Sequence, residues 1–145
     1  MKRLNVVRVQ MVKDHSVTYD AERLTAPEQA ASAFRALVGD ADREVCCALM
    51  LDGKNRMVCI HQVSVGSLSQ AIVHPREVFK AAILANAAAV ILVHNHPSGE
   101  TEPSREDREL TRRINEAGDL IGIKLLDHVI VGDHGYYSFA GSGLL

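Results

Sequence analysis

Apolar residues in this chain follow two different periods, and the switches between them mark out the elements. Val45 to Leu51 is an unbroken run of Val, Cys, Ala, Leu and Met, which predicts a strand buried on both faces. Asp52-Gly53-Lys54-Asn55 is a turn signal, and Met57 to Val65 follows as the antiparallel neighbour. Gly66-Ser67-Leu68-Ser69 then breaks the pattern. A second unbroken run, Ala87 to Val93, stops abruptly at His94-Asn95-His96-Pro97, so a buried strand passes into a loop at the histidines. Lys124 to Val131 and Tyr136 to Phe139 read as two further strands, with Gly132-Asp133-His134-Gly135 as their turn.

Between these runs the spacing becomes helical. Thr25 is expected to cap a helix that has Pro27 in its first turn, Ala30, Ala33, Phe34, Leu37 and Val38 on one stripe, and Gly39 near its end. Pro75 opens a second helix, with Val78, Phe79, Ala82, Ile83 and Ala85 inward and a stop near Asn86. A third starts at Ser104, turns Leu110, Ile114 and Ala117 inward and is expected to end near Gly118, with Gly122 preceding the next strand. Asn5 to Val12 is β-prone and partly alternating, an edge strand or an arm. The order helix, two strands, helix, strand, helix, two strands predicts an α/β fold, a three-layer mixed sheet flanked by helices.

A chain of 145 residues that is 47% hydrophobic suits one folded unit. Residues 1–42 are expected to form the N-terminal strand or arm plus a helix packing on the core, and residues 43–145 the body of the domain. Sixteen Lys and Arg against 18 Asp and Glu leave a formal charge of −2 with no long run of one sign, a poor basis for a phosphate-binding surface. Arg105, Arg108, Arg112 and Arg113 alternate with Glu106, Asp107, Glu109 and Glu116, as on a solvated helix face. The cysteines, Cys46, Cys47 and Cys59, are odd in number and lack Cys-x-x-Cys spacing, so they are expected as core residues in a reducing compartment. With neither a signal sequence nor an apolar span long enough for a membrane, a soluble cytoplasmic protein is expected.

The chemistry is concentrated where the second apolar run ends. Alternation along a strand sends His94 and His96 the same way, roughly 6–7 Å apart along the chain, so two imidazoles can share one ion. Ser104-x-x-Asp107 places a carboxylate in the next helix's first turn, where it can serve as a capping acid, as a third ligand, or as both. Two histidines and one carboxylate around Zn2+ leave the fourth tetrahedral position for water, whose pKa such an ion lowers to about 7.

His94-x-His96-Pro97, with seven residues between His96 and Ser104, then Ser104-x-x-Asp107, is similar to the JAMM (MPN+) metalloprotease signature. The wider stretch HNHPSGETEPSREDRELTRRI, followed by LLDHVIVGD, resembles the RadC-like branch of that superfamily over about residues 43–145. The loop Gly99-Glu100-Thr101-Glu102-Pro103 departs from the more usual Gly-Asp-Pro-Thr-Pro and leaves the ligand positions untouched. The resemblance implies a fold layered like cytidine deaminase and a zinc-dependent hydrolase of peptide or isopeptide bonds. It implies His94, His96 and Asp107 as metal ligands, Glu44 as general base and Ser104 as hydrogen-bond donor to the developing oxyanion. Ser104 as a cap would compete for its own hydroxyl. Glu77, at the start of the second helix, is the competing candidate for the base. His128 is read as a core histidine satisfied by backbone, the alternative being a partner behind a ligand.

Three other functions are weighed against this one. RadC carries a traditional association with DNA repair, but the residues before Glu44 are too few, and too poor in glycine, for the helix-hairpin-helix region of full-length relatives, so a short form is expected and nucleic acid is a doubtful partner. A zinc nucleobase deaminase would need His-x-Glu and Pro-Cys-x-x-Cys, which the sequence does not contain. An inactive metal- or protein-binding module would be expected to lose the ligands, which this chain keeps. The expected partner is a peptide or protein substrate, selected by the loop from Ser98 to Pro103 and residues near Ser64 to Ser69, with a homo-oligomer possible through the N-terminal arm.

Overall fold

A computed structural model describes residues 1–66 and 72–145. Helix α1 (Pro27–Val38) leads into strands β1 (Val45–Leu51) and β2 (Met57–Val65). These are followed by α2 (Pro75–Leu84), β3 (Ala89–Asn95), α3 (Arg105–Ile121), β4 (Lys124–Val131) and β5 (Tyr136–Ser138). The strands form one mixed sheet in the order β2-β1-β3-β4-β5. β1 runs antiparallel to both β2 and β3, β3 is parallel to β4, and β4 is antiparallel to β5. The single parallel step is the one that needs a crossover, and α3 supplies it.

Strand β1 is buried at every position, as its unbroken apolar run requires, because helices cover both faces of the sheet. Alternation divides the core. Cys47, Leu49, Ile91 and Val93 pack against Ala30 and Phe34 of α1. Ala48, Met50, Leu92 and Leu125 pack on the other face against Val78, Phe79 and Ala82 of α2 and Ile114 of α3. Each buried Leu, Ile or Phe contributes roughly 1.5–3 kcal/mol of transfer free energy. The Asp52 turn forms as its composition predicts: Asp52 Oδ1 accepts from the Lys54 and Arg56 amides, both at 2.9 Å.

Three local expectations are corrected, and one pair of alternatives is decided. The N-cap of α1 is Ala26, not Thr25: Gln29 Oε1 accepts from the Thr25 and Ala26 amides at 2.6 and 3.1 Å, so a side chain from the first turn does the work assigned to Thr25. Helix α3 runs through Gly118 to Ile121 and stops at Gly122, whose φ of 85° is left-handed. Gly118 serves packing, since a Cβ there would lie 2.4 Å from the Ile123 carbonyl oxygen. Asn5 to Val12 forms no strand, and Val6 is 99% exposed. The N-terminal segment meets the chain at the start of β2, through the Leu24 amide to the Asn55 carbonyl at 2.7 Å and the Met57 amide to the Glu22 carbonyl at 3.3 Å. Finally, Phe139 falls just beyond β5, in the turn that follows. Ser67 to Ser69, part of the predicted break and of the segment expected to select substrate, lie outside the described residues.

Candidate metal centre

Strand β3 ends by presenting His94 on the face that carries α3, where it is buried. His96 follows the strand, its amide still donating to the Val131 carbonyl at 3.2 Å, so the two-residue period of the sheet is kept and both rings point the same way. The chain then turns at Gly99, whose φ of 86° and close approach to the Asp133 carboxylate admit no side chain. That turn brings the Glu100 carbonyl to 3.0 Å from His96 Nδ1. A carbonyl can only accept, so His96 donates from Nδ1 and its Nε2 is left as a bare lone pair.

The loop closes on α3 through a reciprocal cap. Ser104 Oγ accepts from the Asp107 amide at 3.0 Å, and Asp107 Oδ2 accepts from the Ser104 amide at 2.9 Å. The same carboxylate faces the histidines, with Oδ2 3.0 Å from His96 Nε2 and Oδ1 3.2 Å from His94 Nε2. One carboxylate thus both caps the helix and faces the two histidines. Ser104 uses only a lone pair in the cap, so its hydroxyl hydrogen is still free to donate outward, and the expected competition does not arise.

Glu44 reaches the cluster from the residue before β1. Its side chain is buried, with Oε1 3.5 Å from His94 Nε2 and 3.9 Å from His96 Nε2. Asn95, between the two histidines, holds the backbone on either side of it: Oδ1 accepts from the Val45 amide at 2.7 Å, and Nδ2 donates to the Arg43 carbonyl at 3.1 Å. The Gly66 amide donates to the Glu44 carbonyl at 2.8 Å.

Glu44, His94, His96 and Asp107 therefore form a group whose ligand atoms all lie within 4.8 Å of one another and that can hold a metal ion. The two Nε2 atoms are 3.0 Å apart. Donors around a tetrahedral ion with bonds of 2.0–2.1 Å sit about 3.3 Å apart. The two Nε2 atoms, 3.0 Å apart, are close to that spacing, each has an Asp107 oxygen beside it (Oδ1 at His94, Oδ2 at His96), and the donor set of two imidazoles and a carboxylate suits zinc. Burial alone would raise the Asp107 carboxyl pKa, but without an ion, and with the rings protonated at Nε2, hydrogen bonds from His94 and His96, the charge of His94 and the Ser104 amide outweigh it and hold the group well below the usual carboxylate range. His96 is raised, chiefly by its hydrogen bond to Asp107, against the opposing effect of burial.

His128 is not satisfied by backbone, as its sequence context suggested. Its ring is fully buried, with Nε2 2.7 Å from His94 Nδ1 and Nδ1 2.6 Å from Thr111 Oγ1. It stacks on Phe139 at a centroid distance of 4.9 Å. Burial and then the neighbouring His94 push its pKa well down. Asp127 arranges the stack: its carboxylate accepts from the His128 and Ala140 amides and the Ser138 hydroxyl at 2.7, 3.0 and 2.6 Å, clasping the turn that carries Phe139.

Glu77 lies apart from this group, exposed at the start of α2 and paired with Lys80 at 2.8 Å. His74 caps the same helix, accepting from the Arg76 amide at 3.1 Å. Sequence reasoning missed Asn95, Thr111 and the Glu100 carbonyl. Thr111 had a usable signal, lying one helical turn beyond Asp107 on the same face.

Comparison with known proteins gives the chain a family. A family model described as the RadC-like JAB domain matches residues 24–144. A UPF0758 protein of Trichlorobacter lovleyi is 57% identical over 124 residues, covering 86% of this chain and 54% of that protein. Another, from Geobacter sulfurreducens, is 56% identical over 125 residues, covering 86% and 55%. A third, from Rubrobacter xylanophilus, is 51% identical over 122 residues, covering 84% and 53%. The chain spans about half the length of the curated relatives it matches.

Proposed function

From the chain's membership of the RadC-like JAB domain family, we infer that it is a zinc-dependent hydrolase of amide bonds, acting on peptide or isopeptide links. The observation that carries this reading is the convergence of two Nε2 lone pairs and the Asp107 carboxylate, with a second buried carboxylate, Glu44, beside them. His94, His96 and Asp107 would hold the ion. A zinc ion bound there supplies Lewis acidity, making water a better nucleophile at neutral pH and polarising the carbonyl under attack.

The protein's own groups supply the proton transfers. Glu44 Oε1, close to both histidines, takes the proton of the attacking water and returns it to the leaving nitrogen as the C–N bond breaks. The Ser104 hydroxyl, with its hydrogen left free by the cap, donates to the substrate oxygen as negative charge grows there. Asn95 keeps Glu44 in place through the Val45 amide and the Arg43 carbonyl.

Two substitutions separate binding from turnover. His96→Ala is expected to lose zinc. Glu44→Gln is expected to retain zinc and fold normally while turnover falls roughly 10²–10⁴-fold against whichever member of a peptide and isopeptide panel the wild type cleaves. Full metal retention by a His94 and His96 double variant would refute the site, and wild-type activity in Glu44→Gln would refute the mechanism.

A further inference from the structure

His94 and His96 serve a cation only if each offers a bare Nε2, and the two rings reach that state by different means. For His96 a backbone carbonyl decides. His94 instead faces a second imidazole, across 2.7 Å to His128 Nε2, and one histidine cannot fix another's tautomer unless something fixes its own. Thr111 is that reference. Its hydroxyl lies 2.8 Å from the Asp107 carbonyl oxygen and 2.6 Å from His128 Nδ1.

The carbonyl cannot donate, so the one hydroxyl hydrogen goes to Asp107 and Thr111 Oγ1 must receive from His128 Nδ1–H. A fully buried imidazole favours the uncharged form with one ring proton, and donating that proton from Nδ1 leaves a bare Nε2, which receives from His94 Nδ1–H. His94 is then left with its Nε2 lone pair aimed at the cluster. Run in the opposite sense, the same contacts would leave two oxygen lone pairs facing each other at 2.8 Å. All three side chains are buried, so water does not compete for these bonds. They come from β3, β4 and α3, and the run ends on the backbone of the residue that also supplies the carboxylate.

We propose that Thr111 and His128 are positioning residues that set the His94 tautomer for cation binding, through a one-way run of hydrogen bonds from the His94 ring to the Asp107 carbonyl. The proposal rests on the reading of the cluster as a divalent-cation site.

The test uses zinc alone. Its dissociation constant is measured by competition with a chromophoric chelator for the wild type, Thr111→Val, Thr111→Ser and His128→Phe. Long-range 1H–15N spectra of the zinc-loaded wild type report which nitrogen of His128 carries the proton. Thr111→Val, close in shape, is expected to bind zinc roughly 10–100-fold more weakly, Thr111→Ser to bind like the wild type, and His128 to be protonated on Nδ1. If His128→Phe fails to fold, the threonine pair carries the test. Wild-type zinc affinity in a folded Thr111→Val, or a His128 protonated on Nε2, would overturn the proposal while the metal site stands. A wild type that binds no zinc would remove the metal site itself, and the proposal with it.

Discussion

At the scale of single residues, Asn95 shows how a side chain that touches no candidate ligand atom can matter to the site. Its two hydrogen bonds fall on either side of Glu44, so truncation frees the backbone carrying that carboxylate and strands the Val45 amide. Asn95→Ala is expected to cost about 1–3 kcal/mol in chemical denaturation. It should also lower turnover while zinc stoichiometry is kept, a combination checked by measuring metal content beside activity. Three of the candidate quartet were legible in the sequence, because strand alternation and a capping acid are local rules that act on His94, His96 and Asp107 directly, whereas Glu44 came only from the family resemblance. His128 was not legible. Nothing near it in the chain announces that its two ring nitrogens will meet His94 from β3 and Thr111 from α3, contacts that exist only once the parallel pair is assembled.

At the scale of elements, the apolar runs located the strands well because each covers a position buried on both faces. Helix ends were harder to read, since a glycine can mean either a stop or a close approach. Gly118 is the second kind, and it predicts a sign opposite to helix propensity. Alanine in place of glycine ordinarily stabilises a helix interior by up to about 1 kcal/mol. Here the added methyl would meet the Ile123 carbonyl at 2.4 Å and the Phe79 ring at 3.3 Å, with little room for either to yield. Gly118→Ala is expected to destabilise by about 1–3 kcal/mol net, measured as a lower denaturant midpoint with an unchanged slope. Stability equal to or above wild type would mean that α3 and β4 can separate more freely than their packing suggests.

At the scale of the whole molecule, the sequence supported the layered α/β architecture but not the full strand order, which depends on where α3 carries the chain. For Asn5 to Val12 the sequence left an edge strand and an arm open, because alternation is a property of the segment alone, whereas a strand needs an edge to pair with. The cluster draws on three stretches of chain: the lead into β1, the end of β3 and the start of α3. An ion bound by the folded form alone stabilises it by mass action, by about 2.7 kcal/mol at a hundredfold excess over the dissociation constant. Stripping the metal with a chelator is expected to lower the melting temperature by roughly 5–15 °C, followed by calorimetry with zinc restored as the control. Because Asp107 Oδ2 both ties down the Ser104 amide and faces His96, an ion held at the cluster would be coupled to the first turn of α3. With an ion at the cluster, the loop from Pro97 to Pro103 would be held at both ends, by His96 before it and by the Ser104–Asp107 cap after it.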